Sequence, residues 1–229
     1  MLTPRNIKIL KIIIEEYLET GEVIGSKLLL KKYDLGVSPA TVRNDMAKLE
    51  ELELIYQPYT AAGRLPTTKG IRAFVDFLMK STPNHFLETN STKNNQKVEN
   101  FYDLANKLSL ELAKKTGEIG FFIIPEINLV EYSGVGSFLE ENHKRLGDSI
   151  FSILKMLEDK KSFSNFLSEQ YFSEGLNIFI GEENIIPFLK DYTIIIKNIN
   201  IGGKKVLIGI IGSLKMNYSF NISAIDGII

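Results

Sequence analysis

Apolar residues recur at helical spacing from Ile7 to Leu18 (Ile7, Leu10, Ile14, Tyr17, Leu18). Pro4 suits the first turn of such a helix, and Thr20-Gly21 ends it. A short helix is predicted over Lys27–Tyr33 with Ser26 as its N-cap, followed by the turn Asp34-Leu35-Gly36. A third helix starts with Ser38 as cap and Pro39 in the first position. Its apolar stripe is Val42, Met46, Leu49 and Leu52. After Leu54 the helical period stops. Ile55-Tyr56-Gln57 and Arg64-Leu65-Pro66-Thr67 read as two short strands around the polar tip Tyr59–Gly63, and a fourth helix runs from about Lys69 through Ile71, Phe74, Val75 and Leu78. Three helices, a small hairpin and a trailing helix predict a winged helix-turn-helix over residues 1–80.

Residues 81–97, rich in Asn, Thr and Ser, read as a polar linker or disordered segment. A second domain, 98–229, opens with a seam of Val98, Phe101, Ala105, Leu108 and Leu112 spaced by three and four. Strands are predicted at Ile119–Ile124 and near Leu129–Val135. One helical stretch follows from about Leu139 to Gln170, with Leu146, Ile150, Ile153, Leu154 and Leu157 buried. Strands at Leu176–Ile180, Tyr192–Ile201 and Lys204–Ile211 complete the sheet, the last two joined by Gly202-Gly203, a pair suited to a primed turn. Tyr218, Ile222, Ile225 and Ile229 mark a closing helix. Helices around a largely antiparallel sheet make this half an α+β domain of GAF-like type, so the fold class is α+β throughout.

Composition narrows the function. With 44% hydrophobic and 24% charged residues the chain can build two ordinary soluble domains. No apolar run reaches the roughly 18 residues of a membrane helix, and Glu15, Glu16 and Glu19 interrupt the first one, so no signal peptide or membrane partner is expected. The absence of cysteine removes disulfides, thiol nucleophiles and cysteine-based metal sites, in keeping with cytosolic residence. The net charge of −1 conceals a weak asymmetry: residues 1–80 hold 12 Lys+Arg against 10 Asp+Glu. A near-neutral protein can still gather a few basic groups on one face.

With Val42, Met46 and Leu49 turned inward, the third helix presents Ala40, Thr41, Arg43, Asn44, Ala47 and Lys48 outward. That set suits a major-groove reader. Arginine can be bidentate to guanine, asparagine to adenine, and Thr41 or Ala40 can pack on a thymine methyl. The free N–H groups behind Ser38 and Pro39 can hold a phosphate. Ser26 and Lys27 on the preceding helix are expected to touch DNA backbone, and Tyr59, Thr60 and Arg64 to bring the wing to phosphate or the minor groove. On an arbitrary helix such polar residues are merely solvated; here the Ser-Pro cap, the short preceding helix and the following hairpin occur together. An enzyme is the main competing class, but His85 and His143 stand without metal or triad partners, and no phosphate-binding glycine loop occurs. Neither a catalytic residue nor a cofactor is expected. A ligand-sensing GAF-like domain and a protein-interaction module stay open as alternatives.

The segments LTPRNIKILKIIIEEYLETGEVIGSKLL, LGVSPATVRNDMAKLEEL and QPYTAAGRLPTTKGIRAFVDFLM resemble the HrcA family of heat-inducible transcription repressors, as do IGEEN at 180–184, NINIGGKKV and LIGIIGSLKMNY. The resemblance implies a homodimeric repressor of chaperone operons that binds the inverted-repeat CIRCE operator in double-stranded DNA. It implies too that heat shock relieves repression and that chaperonin maintains the active fold. It maps Ser38–Lys48 onto the family's recognition helix and Tyr59–Pro66 onto its wing.

The family usually carries an insertion in its GAF-like domain that contributes to dimerisation. Here Ile124-Pro125-Glu126 runs almost directly into Val130–Gly134, and the chain stops soon after Asp226-Gly227. Most of the insertion is therefore expected to be missing. A dimer would rest on the GAF-like core, through the 98–112 seam unless that seam simply packs on its own sheet. IGFFII, LNIFI, TIII and VLIGII are uncharged and β-prone, so this domain is expected to fold slowly and to depend on chaperonin supply.

Overall fold

Thr3 and Asn6 close the first helix from both directions. The Thr3 hydroxyl accepts from the Asn6 N–H at 3.2 Å, and the Asn6 side chain accepts from the Thr3 N–H at 3.0 Å. With Pro4 in the first turn and Gly21 in the left-handed conformation at the end, the helix α1 spans Pro4–Thr20. The computed structural model describes residues 2–81, 100–142, 149–170, 172–184, 186 and 189–228. The chain divides into two compact units, residues 1–82 and 83–229.

In the first unit α2 (Ser26–Lys32) and α3 (Pro39–Glu51) follow α1. The antiparallel pair β1 (Ile55–Tyr56) and β2 (Leu65–Pro66) comes next, then α4 (Thr68–Ser81). Ile9, Ile13, Leu29, Val42, Met46, Leu49, Ile55 and Phe74 meet in one buried cluster. Two expectations are corrected here. Ser26 lies inside α2, whose N-cap is Gly25 and makes no side-chain cap bond. Leu52 does not continue the buried stripe: it is the C-cap residue of α3, where the chain leaves helical geometry, and it is 40% exposed. Gly70 allows α4 to close on the chain just before β1, since a Cβ there would strike the Leu54 carbonyl oxygen.

In the second unit α5 (Phe101–Thr116) precedes β3 (Ile119–Ile124) and β4 (Leu129–Ser133). Helices α6 (Val135–Asn142), α7 (Ser149–Glu158) and α8 (Lys160–Ser168) follow, then β5 (Gly175–Ile180), β6 (Tyr192–Ile201), β7 (Lys204–Ser213) and α9 (Tyr218–Asp226). The sheet order is β4-β3-β7-β6-β5, every neighbouring pair antiparallel. Alternation sorts its side chains. Ile119, Phe121, Ile123, Ile194, Ile196, Leu207 and Ile211 face Phe138, Ile153, Phe163 and Leu167 of α6–α8. The opposite face lies under α5 and α9, where Gly120 takes the backbone of α5 at a distance no Cβ would permit. Gly202 and Gly203, both at positive φ, make the tight β6–β7 turn.

Two further expectations change. The predicted helical stretch 139–170 is three helices among the described residues: Asp159 interrupts it by accepting from the Ser162 N–H at 3.1 Å and capping α8. The strand expected to reach Val135 stops at Ser133, because Gly134 at φ +90° turns the chain into α6. Of the two readings left open for the seam, packing on the domain's own sheet describes Ala105, Leu108 and Leu112, which are at most 5% exposed on a helix that packs on β3 and β4. Val98, Leu146, Ile229 and the predicted linker lie outside the described residues, save Ser81 at the end of α4.

Gly70→Ala is expected to lower unfolding stability by about 1–3 kcal/mol, because the neighbour it meets is backbone and cannot rotate away. Gly136→Ala, at an open position within α6, should be neutral or stabilising by up to about 1 kcal/mol. Urea titrations of the two variants check the contrast.

Candidate nucleic-acid interface

The exposed row on α3 depends on what fixes the helix from behind. Asp45, 8% exposed, accepts from Arg5 Nε at 2.6 Å and from Asn6 Nδ2 at 2.8 Å. Since Asn6 also caps α1, one residue ties the start of that helix to the middle of α3. Val42, Met46 and Leu49 fill the same side, so rotation of α3 about its axis is determined.

The short helix α2 is held at its far end by Glu16 of α1. This buried carboxylate accepts from Lys32 Nζ at 2.7 Å and from the Tyr33 hydroxyl at 2.7 Å. The hydrogen bond from Lys32, then that from Tyr33, holds the Glu16 carboxyl below the usual carboxylate range. Donation to Glu16 in turn pushes the Tyr33 phenol up to about 12. These residues, with Arg5, Asn6 and Asp45, escaped the sequence reading because their partners are distant in the chain. One signal was available: Asp45 sits on the inward side of α3 between Val42 and Met46.

Ser38 accepts from the Thr41 N–H at 3.2 Å, and its hydroxyl lies 3.0 Å from that of Thr41. Ser38, Ala40, Arg43 and Asn44 are exposed, with Thr41 and Lys48 half-exposed beside them. On α2, Lys27 is exposed, whereas Ser26 is 9% exposed and its hydroxyl accepts from Arg43 Nε at 3.3 Å. At the hairpin tip Tyr59 and Thr60 are exposed, and Ala61 takes φ +64°. The hairpin is fixed to the α1–α2 connection by a two-bond bridge between Ile24 and Arg64, at 3.2 and 2.9 Å. Gly63 permits that approach, since a Cβ would strike the Ile24 backbone at 2.5 Å. Arg64 does not join the exposed set. Its side chain, 19% exposed, binds Glu50 at 2.9 Å and reaches the Ala62 carbonyl.

Elsewhere the described residues offer less chemistry. A cavity of about 440 Å³ between α7 and α8 is walled by Met156, Phe163, Phe166 and Ile186, with Lys155 and Asp159 at its rim. No group of three or more His, Cys, Asp or Glu stands close enough to hold a metal among the described residues, and His85 and His143 fall outside them. No helix among those residues is long and apolar enough to cross a membrane.

Comparison with known proteins bears on both units. Residues 82–222 match the family model for the HrcA protein C-terminal domain. The chain is 36% identical over 151 residues to the heat-inducible transcription repressor HrcA of Alkaliphilus metalliredigens, a match covering 64% of this chain and 43% of that protein. It is 39% identical over 132 residues to the protein of the same name from Carboxydothermus hydrogenoformans, covering 57% and 39%. The protein of that name from Thermobifida fusca is 54% identical over 83 residues, covering 36% and 24%. The chain thus matches less than half the length of each of these curated relatives. A crystal structure of a hypothetical protein superposes with a TM-score of 0.77 at 19% identity, covering all of this chain and 96% of that one, which shows a shared fold.

The Glu16 linkage has a definite sign. A carboxyl whose folded value lies below its ordinary 4.5 stabilises the fold above that pH. The contribution is lost as pH falls through the lowered folded value. Tyr33, raised to about 12, contributes fully below its ordinary 10 and loses that contribution as pH rises through about 12. Thermal melts across acid pH should show Glu16→Gln with a flatter pH dependence than the parent; parallel curves would show that Glu16 carries no linkage.

Proposed function

The chain belongs to the HrcA family, and from that premise we propose that it is a repressor of heat-shock chaperone operons, acting at the nucleoid in the cytoplasm. Its N-terminal unit is a winged helix-turn-helix, α3 is the recognition helix and the β1–β2 hairpin the wing. Its second unit is a GAF-like regulatory and dimerisation domain. The protein binds double-stranded DNA as a homodimer on a CIRCE-type inverted repeat, each copy reading one half-site. Heat shock relieves repression, and chaperonin maintains the active population.

The observation that carries this reading is the outward row Ala40, Thr41, Arg43, Asn44 and Lys48, set behind the Ser38 cap on a helix whose opposite side is locked by Asp45. In this arrangement Arg43 takes guanine, Asn44 adenine, and Ala40 and Thr41 the thymine methyls. Ser38 and Lys27 meet phosphate, while Tyr59 and Thr60 bring the wing tip to the backbone or minor groove. Arg64, held against Glu50 at 2.9 Å, steadies the wing and stands with Tyr59 and Thr60 as a wing contact to phosphate or the minor groove.

Purified protein should bind a CIRCE-type inverted repeat about 10³-fold or more tighter than a scrambled duplex. Arg43→Ala/Asn44→Ala should remove most of that preference while leaving weak, salt-dependent binding to both duplexes. Fluorescence anisotropy at two salt concentrations checks this. Equal affinity of the parent protein for both duplexes would overturn the reading.

A further inference from the structure

We infer that Ser26 is a positioning residue for Arg43, presetting its guanidinium for a guanine, and is not itself a contact to the DNA backbone; the inference rests on the DNA-binding reading above. The hydroxyl that sequence reasoning assigned to an N-cap or a phosphate is spent on neither. Gly25 occupies the cap, Ser26 is 9% exposed, and its oxygen accepts from Arg43 Nε at 3.3 Å across the α2–α3 packing. The Ser26 hydroxyl is engaged by Arg43, whereas the exposed Lys27 next to it is open to a phosphate.

The bond selects which edge of Arg43 is offered. A guanidinium has five N–H donors in one plane, and engaging Nε–H leaves the terminal nitrogens free to span guanine O6 and N7. Arg43 is exposed, and Ser26 is its partner among the described residues. Orientation before binding also reduces the rotamer entropy a long side chain loses on docking. Three further contacts make Ser26 a fixed anchor. Lys32 and Tyr33 pin the other end of α2 to Glu16, and the bridge from Ile24 to Arg64 holds the chain just before Gly25. At 3.3 Å the bond is long, so its effect is modest.

The test is a double-mutant cycle on the full chain, with the inverted-repeat and scrambled duplexes as probes. Ser26→Ala should weaken binding to the repeat about three- to tenfold, leave binding to scrambled duplex and the salt slope unchanged, and be restored by Ser26→Thr. In an Arg43→Ala background it should cost nothing further. Four results would overturn the proposal: no effect on the repeat, an equal loss on both duplexes with a shallower salt slope, a loss that persists in the Arg43→Ala background, or a loss that follows a lowered thermal midpoint in both backgrounds. If the parent protein itself shows no preference for the repeat, the DNA-binding reading falls and this inference with it. A parent preference that Arg43→Ala abolishes and Ser26→Ala does not affect would remove this inference alone.

Discussion

A buried carboxylate in the middle of α3 is the constraint on which the first unit turns. Asp45 must be satisfied where water has little access, and Arg5 and Asn6 satisfy it. An unpaired carboxylate at that depth would be expensive, so α3 is stable only in the rotation that brings Asp45 to the start of α1. Hydrophobic packing of Val42, Met46 and Leu49 prefers the same rotation but tolerates small slips, because dispersion contacts have no direction. A hydrogen bond of 2.6 Å to a guanidinium does. The angle at which Arg43 and Asn44 leave the surface is thus set from the opposite side of the helix.

The second unit solves the same problem with apolar area. Of its central strands β3 is wholly buried and β7 and β6 are buried over most of their length, and helices cover both faces of the sheet. A polar side chain placed there needs a specific partner. Lys197, 2% exposed on β6, donates to the Asp226 carbonyl at 2.6 Å and lies 3.5 Å from its carboxylate. The partner comes from the C-terminal end of α9, where unpaired carbonyls favour a cation. Lys197 thereby joins the buried Thr193–Tyr218 pair, 2.7 Å apart, in holding the closing helix over the sheet.

What could be read in the sequence divides along the range of the interactions. Helices α1, α3 and α4, the β6–β7 turn and most strands announce themselves through period, caps and glycines, all local signals. The row from Ala40 to Lys48 is equally local, because inward Val42 and Met46 imply outward Arg43 and Asn44. Legibility failed where a side chain's partner lies on another element. Ser26 and Arg64 look like free polar groups in sequence, yet one accepts from Arg43 and the other is drawn in by Glu50. The seam along α5 has coiled-coil spacing, but the same spacing suits a helix lying on a sheet, and β3 and β4 take it. The break between α7 and α8 has a subtler reason: Asp159 at the foot of α7 is also a good N-cap for the next turn, and capping wins.

The charge of the chain gives these positional details their weight. A protein that holds DNA mainly by phosphate neutralisation needs many cations, and each adds affinity without regard to sequence. This chain has a net charge of −1, and in its first unit Arg5, Lys32, Arg64 and Lys69 are engaged with carboxylates. On the repressor reading, non-specific attraction is accordingly small, and discrimination must come from the few side chains that reach base edges. A weakly charged reader benefits from losing little freedom when it docks, because little surplus affinity is available to offset the loss. Asp45 fixes the helix, Glu16 fixes its neighbour, and Ser26 carries that rigidity to the one arginine on the exposed row. Buried hydrogen bonds behind α3, on the side away from the exposed row, are what such a binding mode requires.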